Sequence, residues 1–132
     1  METIISIKET TFRKYNDDYG FYEGYEITTD RQTIKVGISS QQSCCERFGY
    51  FMTEDNLNEY IGANLISITH TDTEMTTKLI KELYLDYDPD TMFITFETNQ
   101  GSFQFVAYNS HNGYYGHKAT IISEQLNIDD IL

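Results

Sequence analysis

Residues 92–98 (MFITFET) and residues 102–108 (SFQFVAY) decide the fold of this chain. Each segment alternates apolar and polar side chains, which is the pattern of a β-strand with one buried face. Between them, Asn99-Gln100-Gly101 supplies a turn in which the glycine can adopt a positive φ. The sequence therefore predicts a β-hairpin over residues 92–108.

A second hairpin is predicted nearer the start of the chain. Residues 21–28 (FYEGYEIT) and residues 33–38 (TIKVGI) both alternate, and Asp30-Arg31-Gln32 between them has the composition of a turn. Residues 65–70 (LISITH), which lie between the two hairpins, predict one further strand. Sheet structure is therefore expected on both sides of the middle of the chain.

Two segments carry helix signals. Residues 53–55 (TED) precede apolar Leu57 and Ile61, and Gly62 follows, which is the order of an N-cap, an apolar face and a C-terminal glycine. Residues 73–85 place apolar side chains four apart, on one helical face, and fit equally an irregular extension of the strand before them. One or two short helices are therefore expected.

These elements together predict the fold class. A chain of 132 residues with a single proline and no repeat is expected to form one domain over residues 1–132, large enough for its own core. The expected class is α+β, with a mostly antiparallel curved sheet of five to six strands that contains the two hairpins.

Charge is the second informative property. The chain carries 21 acidic and 9 basic side chains, a net charge of −12. Residues 1–47 hold eight acids and six bases, whereas residues 48–132 hold thirteen acids and three bases. Such a field repels nucleic acid and anionic membranes and attracts basic surfaces. The sequence therefore predicts a basic protein as partner, and no direct contact with nucleic acid or membrane.

The acidic part of the chain predicts a partner-binding surface that imitates a phosphate backbone. Asp and Glu accept charge-assisted hydrogen bonds from Arg and Lys, as phosphates do. A solvated face that keeps the protein soluble is the alternative explanation. The predicted partner-binding residues are the acids Glu54, Asp55, Glu59, Asp72, Glu74, Asp86, Asp88 and Asp90, with the flanking aromatic anchors Tyr84 and Tyr87.

The acids from Asp86 onward also have the spacing of a calcium loop. Asp86, Asp88, Asp90 and Glu97 fall at the first, third, fifth and twelfth positions of such a loop. The sixth position, where a sharp turn requires glycine, is Thr91. An acidic turn that leads into a strand explains the segment as well, and no metal or cofactor is predicted.

Residues 109–117 (NSHNGYYGH) form a second candidate site. The glycines favour backbone turns with positive φ, and the Tyr and His side chains between them would supply an aromatic recognition loop. A tight turn whose tyrosine rings close the edge of the core is the alternative. If the segment binds a small molecule or a nucleotide signal, the ligand-binding residues are Asn109, His111, Asn112, Tyr114, Tyr115 and His117.

Cys44 and Cys45 are adjacent. Because neighbouring side chains on an extended chain point opposite ways, structural thiols are favoured over a zinc site or a catalytic nucleophile. The chain is therefore expected not to be an enzyme, with a thiol-dependent enzyme as the minor alternative. Its start has no signal peptide, and no segment has the roughly 20 apolar residues that span a bilayer, so a cytoplasmic location is expected.

Three spaced elements resemble a family of small phage and bacterial proteins of unknown function. The elements are Cys44-Cys45-Glu46, the helix end expected at Ile61-Gly62, and the Asn-x-x-Asn-Gly-Tyr-Tyr-Gly turn at residues 109–116. The resemblance covers about residues 25–118, and Tyr108 and His117 stand where members often carry Arg and Gly. It implies no activity. It does imply a phage or mobile-element setting, in which small acidic proteins often inhibit host defence.

The function expected from these observations is that of a non-enzymatic acidic binding protein. It would be a phage-type, anti-CRISPR-like inhibitor that mimics nucleic acid and blocks a basic nucleic-acid-binding host protein such as a CRISPR effector. The alternative is a small-molecule or nucleotide-signal binding protein, a sponge, that uses residues 109–117. The sequence predicts neither the identity of the partner nor the oligomeric state.

Overall fold

A computed structural model describes residues 2–13, 20–40, 47–70, 90–110 and 116–132 of the chain. These ranges contain nine strands and one short 3-10 turn, and no helix within them is long and apolar enough to cross a lipid bilayer. The elements are β1 (Glu2–Arg13), β2 (Phe21–Thr29), β3 (Thr33–Ser39), β4 (Arg47–Met52), the 3-10 turn (Leu57–Tyr60), β5 (Asn64–His70), β6 (Asp90–Thr98), β7 (Gly101–Ser110), β8 (Lys118–Ile122) and β9 (Asn127–Ile131).

All nine described strands belong to one open antiparallel sheet in the order β4-β7-β6-β5-β1-β2-β3-β8-β9. Strands β4 to β7, with the 3-10 turn, form one half of the sheet, which we call the inserted half because its chain lies between β3 and β8. Strands β1 to β3, β8 and β9 form the flanking half. The two halves are joined by a short ladder, in which Glu2 pairs with Leu65 and Thr3 with Asn64.

A single large core lies between the two halves. Buried side chains of both halves belong to one cluster, and β3 contacts β4 and β7 across it. The sheet therefore curves until its two inner faces meet, and burial of these apolar side chains is the main stabilising contribution. The flanking half contributes Ile27, Ile34, Val36 and Ile38, and the inserted half contributes Met92, Ile94, Phe96, Phe103 and Phe105.

Both predicted hairpins and the predicted strand over residues 65–70 are confirmed. β6 pairs with β7 along its whole length, and Phe96 lies opposite Phe103. Gly101 in the turn has a φ of 118°, a conformation that favours glycine. β2 pairs with β3 in the same antiparallel way, and β5 is hydrogen-bonded to β6. Regular alternation bounded by turn residues was therefore a sound basis for these elements.

The predicted fold class is wrong. The described chain is nearly all sheet, with nine strands, and not an α+β fold with five to six. The four strands that the sequence pattern missed are β1, β4, β8 and β9. In β1, the register shifts between Ile4 and Ser6, so Ile5 is an extra, exposed residue that interrupts the alternation. In β9, the adjacent acids Asp129 and Asp130 hide the strand pattern.

The helix predicted after residue 53 is also wrong. The chain forms a single 3-10 turn at Leu57–Tyr60, and the residue before it, Asn56, makes no capping hydrogen bond through its side chain. Gly62 does follow in a left-handed conformation, with a φ of 91°. Its N–H donates to the carbonyl oxygen of Ile4 in β1. Before it, the N–H groups of Glu59 and Ile61 donate to carbonyl oxygens three residues back, which is the 3-10 and not the α-helical spacing. The helix predicted over residues 73–85 lies outside the described residues.

Candidate functional site

Three predicted partner-binding acids lie together at the turn end of the β6–β7 hairpin. Glu54, Asp55 and Glu59 are all exposed, in and just before the 3-10 turn. This segment is held by Tyr60, whose buried ring packs on Phe103 with 4.8 Å between ring centroids. The Tyr60 hydroxyl donates to the carbonyl oxygen of Ser102 at 3.2 Å. The acids are therefore presented from a fixed position.

The pKa of Tyr60 is affected by two of these acids. Burial raises the pKa of the Tyr60 hydroxyl, and the negative charges of Glu54 and Glu59 raise it further. A fourth exposed acid, Glu97, lies at the same end of the hairpin, where it pairs with Ser102 and accepts a hydrogen bond of 3.0 Å from the hydroxyl of Ser67. We call Glu54, Asp55, Glu59 and Glu97 the hairpin-end acidic patch.

Charge divides between the two halves of the sheet. In the inserted half, the described residues after Arg47 include five acids and neither Lys nor Arg. In the flanking half, the described residues include eight acids and five bases. Arg47, the one Lys or Arg among the described residues of the inserted half, pairs with Ser110 at the opposite end of the β6–β7 hairpin from its turn. The turn end therefore presents carboxylates with no described Lys or Arg beside them.

Of the remaining predicted partner-binding residues, Asp90 alone lies within the described ranges, on β6. Asp90 begins β6, where its backbone lies opposite Asn109. Within the described ranges, no three or more His, Cys, Asp or Glu side chains are placed to hold a metal ion. Outside those ranges lie the other members of the predicted set, Asp72, Glu74, Tyr84, Asp86, Tyr87 and Asp88, and the cysteine pair.

A second arrangement, which the sequence did not predict, lies where the inner faces of the two halves meet. Tyr25 of β2 and Tyr50 of β4 are half-buried, with ring centroids 5.9 Å apart and ring planes at 88°. Both rings contact the fully buried Phe105 of β7, at 6.2 and 6.0 Å. Glu9 of β1 is the cross-strand partner of Tyr25, and Glu23 precedes Tyr25 by two residues in β2. We call Glu9, Glu23, Tyr25 and Tyr50, with Phe105 beneath them, the tyrosine cleft.

The tyrosine cleft is electrostatically negative. Burial, together with the charges of Glu9 and Glu23 and hydrogen bonding to Glu9, raises the pKa of Tyr50 to about 12. Burial and Glu9 also raise the pKa of Tyr25. Negative charge disfavours the phenolate, so both shifts report an acidic environment. Chemically, the cleft combines aromatic faces with carboxylates, a combination that suits an organic cation.

The predicted ligand-binding segment is described only at its two ends. Asn109 and His117 are both 1% exposed. The Asn109 side-chain amide donates to the carbonyl oxygen of Leu132 at 2.9 Å. The Nδ1 atom of His117 lies 2.7 Å from the carbonyl oxygen of Ser39, and the His117 ring stacks on Phe48. The described contacts of these two residues are thus packing and backbone contacts, while His111, Asn112, Tyr114 and Tyr115 lie outside the described residues.

A buried carboxylate ties together the turns of the flanking half. Glu2 accepts hydrogen bonds from the hydroxyl of Thr29 at 2.6 Å and from the amide of Gln32 at 2.9 Å, and also from the amide of Gln125. Burial alone would raise the pKa of Glu2, but these hydrogen bonds and nearby Arg31 outweigh it, and the pKa is lowered. The network joins β1 to the β2–β3 and β8–β9 turns, which is a structural role.

Replacing Glu2 by glutamine is expected to lower the free energy of unfolding near neutral pH by about 1 to 3 kcal/mol, because a charged hydrogen-bond acceptor is lost. The folded-state pKa is depressed below its ordinary value of 4.5, so the carboxylate stabilises the fold above that pH and ceases to do so as the pH falls through the folded-state pKa. Urea unfolding between pH 3 and pH 7 should show the two curves converging in acid. Glu124→Gln, at an exposed ion pair with Arg31, should cost little at any pH.

The sequence was also compared with known proteins. A family model described as a domain of unknown function, DUF7448, matches residues 2–121. Searches of curated proteins and of solved structures returned no match. The match confirms the expected relationship to a family of unknown function and extends it across β1 to β8, but it assigns no activity and no origin.

Proposed function

We propose that the chain, which belongs to the DUF7448 family of unknown function, is a non-enzymatic binding protein for a basic protein surface. The hairpin-end acidic patch would make the central contact. The observation that carries the proposal is the division of charge, because the half of the sheet that displays the patch has neither Lys nor Arg among its described residues after Arg47.

The geometry of the patch supports recognition by charge. Glu54, Asp55, Glu59 and Glu97 are all exposed, and none of them lies in an ion pair with a described residue. Their carboxylates are therefore available to Arg and Lys side chains of a partner, with which they would form charge-assisted hydrogen bonds. The buried Tyr60 fixes the segment that carries three of them, so less ordering entropy is lost when the partner binds.

The partner class we favour is a basic protein that binds nucleic acid. The carboxylates of the patch, which have no described Lys or Arg beside them, would bind the same Arg and Lys side chains of the partner that contact phosphates, so the two ligands would compete. A phage-type inhibitor of a host nuclease, including an RNA-guided CRISPR effector, would work in this way. The resemblance to phage and bacterial proteins supports this choice.

Reversing charge in the patch tests the proposal. A purified RNA-guided nuclease and two unrelated basic DNA-binding proteins would be titrated with the chain while release of fluorescent DNA is followed by anisotropy. We expect the chain to displace DNA from at least one of them, less effectively at higher salt. The variant Glu54→Lys/Glu59→Lys should weaken binding about tenfold or more, which is about 1.4 kcal/mol.

A matched variant separates location from net charge. Glu26→Lys/Glu124→Lys changes the net charge by the same amount on the flanking half, and its effect should stay below about threefold. Equal losses for both variants would show that only overall charge matters and would contradict the assignment to the patch. Failure to displace DNA from any of the three proteins would contradict the proposed partner class.

A further inference from the structure

The tyrosine cleft presents two partly exposed aromatic rings at a fixed angle, an arrangement that suits a flat cation. The rings of Tyr25 and Tyr50 stand at 88° to each other, and both are half-buried, so part of each ring stays accessible to solvent. The buried Phe105 supports both rings from below, so the walls are fixed by core packing and not by a loop. Tyr25 and Tyr50 come from the two different halves of the sheet, and the cleft exists only because the sheet curves.

Carboxylates line the rim of these rings. Glu9 lies opposite Tyr25 in the β1–β2 ladder, and the negative charges of Glu9 and Glu23 both contribute to the raised pKa of Tyr50. All charged side chains that act on the Tyr50 hydroxyl make the position more negative. The basic residue further along β1, Arg13, lies over the ring of Phe21 at 4.5 Å. Neither Glu9 nor Glu23 forms an ion pair with a described residue, so the described part of the cleft combines aromatic rings with negative charge.

We propose that the tyrosine cleft binds the guanidinium group of an arginine side chain presented by a partner protein. This inference rests on the proposed function in that the partner is basic, and it names the chemical group that the partner inserts. A guanidinium is planar and weakly hydrated, so it can stack on a tyrosine face while its N–H groups reach a carboxylate. Glu23 is the carboxylate that would receive it, because it is partly buried and lies two residues before Tyr25, on the same face of β2, whereas Glu9 is exposed.

Other ligand classes fit the cleft less well. An anion would be repelled by Glu9 and Glu23. A hard divalent metal ion requires six or more oxygen ligands, whereas this cleft presents aromatic faces and two carboxylates. A lysine ammonium would gain the same charge attraction, but it is a strongly hydrated point charge that cannot stack. Arginine is therefore the cation whose shape and charge both match.

Binding of short peptides tests the inference directly. Acetyl-Gly-Arg-Gly-amide would be titrated into the full chain and followed by NMR, beside matched peptides that carry lysine or uncharged citrulline. We expect saturable shifts of the Tyr25 and Tyr50 ring signals with the arginine peptide, several-fold weaker binding of the lysine peptide, and no binding of the citrulline peptide. The pKa of Tyr50 should fall when the arginine peptide is bound, because a nearby cation stabilises the phenolate.

Two isosteric variants locate the interaction. Glu23→Gln removes a charge from the cleft without changing its shape and should weaken the arginine peptide about fivefold to tenfold. Glu124→Gln removes the same charge from an exposed residue outside both the cleft and the hairpin-end acidic patch, and it should leave peptide binding unchanged. Equal binding of the lysine and arginine peptides would overturn the choice of guanidinium. Absence of ring shifts, or equal losses in both variants, would overturn the site.

The two proposals fail in different ways. If the chain displaces no nucleic acid from basic proteins but the arginine peptide still shifts Tyr50, the partner class is wrong and the cleft stands. If partner binding depends on Glu54 and Glu59 but the peptide moves neither tyrosine, the patch stands and the cleft is overturned.

Discussion

Replacing Phe103 by alanine is expected to lower the free energy of unfolding by about 3 to 5 kcal/mol. Phe103 is 1% exposed and stacks on Phe96 of the neighbouring strand with 4.9 Å between ring centroids. It also supports Tyr60, which holds the segment that displays the acids. Truncation would leave a cavity enclosed by paired strands on one side and by the 3-10 turn on the other. Such a cavity cannot collapse without moving backbone, so its cost should be near the upper end for this substitution.

Urea unfolding of the variant and the parent chain measures this difference. Phe21→Ala provides the control, because Phe21 is 52% exposed and its described ring contact is with the Arg13 guanidinium. The control should cost about 1 kcal/mol or less. A Phe103→Ala variant no less stable than the control would mean that the end of the β6–β7 hairpin is not packed as described.

Replacing Gly24 by alanine is the second large effect that we expect. Gly24 of β2 lies opposite Gly37 of β3 in the middle of the flanking half. A methyl group at Gly24 would overlap the carbonyl oxygen of Val36 and lie 2.6 Å from the Cα atom of Gly37. These atoms are backbone and cannot rotate away, so β2 and β3 would have to separate. We expect a loss of about 3 kcal/mol or more, at the severe end for overpacking.

Gly20→Ala is the matched control for this substitution. Gly20 has a φ of 76°, but nothing lies within 4 Å of an added methyl group there. The free energy of unfolding should fall by about 1 to 2 kcal/mol, the cost of placing alanine in a left-handed backbone conformation. Thermal or urea unfolding of the two variants compares them directly. If Gly24→Ala lowers the free energy of unfolding no more than Gly20→Ala does, β2 and β3 do not approach each other this closely at Gly24.

The parts of the fold that could be predicted are those in which two paired strands and the turn between them are adjacent in the sequence. Residues 92–108 contain two strand-forming segments and the turn that joins them, so neither register nor partner had to be inferred from distant sequence. β1 was missed because Ile5 breaks its alternation at a bulge. β9 was missed because its acids, Asp129 and Asp130, resemble a loop. In place of the expected helix there is a 3-10 turn in which Tyr60 packs on Phe103 and which Gly62 links to β1, contacts that no local pattern contains.

The same distinction applies to the candidate sites. Glu54, Asp55 and Glu59 were predicted as partner-binding residues because a run of charge is visible in the sequence, and the structure brings them to one end of the hairpin. The tyrosine cleft was not predicted, because Tyr25 and Tyr50 approach each other only when the sheet curves. Glu9 belongs to a strand that was missed, so its pairing with Tyr25 had no basis in the sequence. Tyr50 lies on β4, another strand that the sequence pattern missed, so its position beside Tyr25 could not be inferred either.

The placement of one half of the sheet inside the other has a consequence for how the chain is made. The ladders between strands of the inserted half join residues within 47–110, whereas β3 acquires its neighbour β8 only after residues 40–117 have followed it. Closing so long a segment is entropically costly and slow. During synthesis, β3 would therefore be an edge strand, paired with β2 on one side and without its neighbour β8 on the other. We expect this interval, before β8 emerges, to be when the nascent chain is most exposed to aggregation and to chaperones.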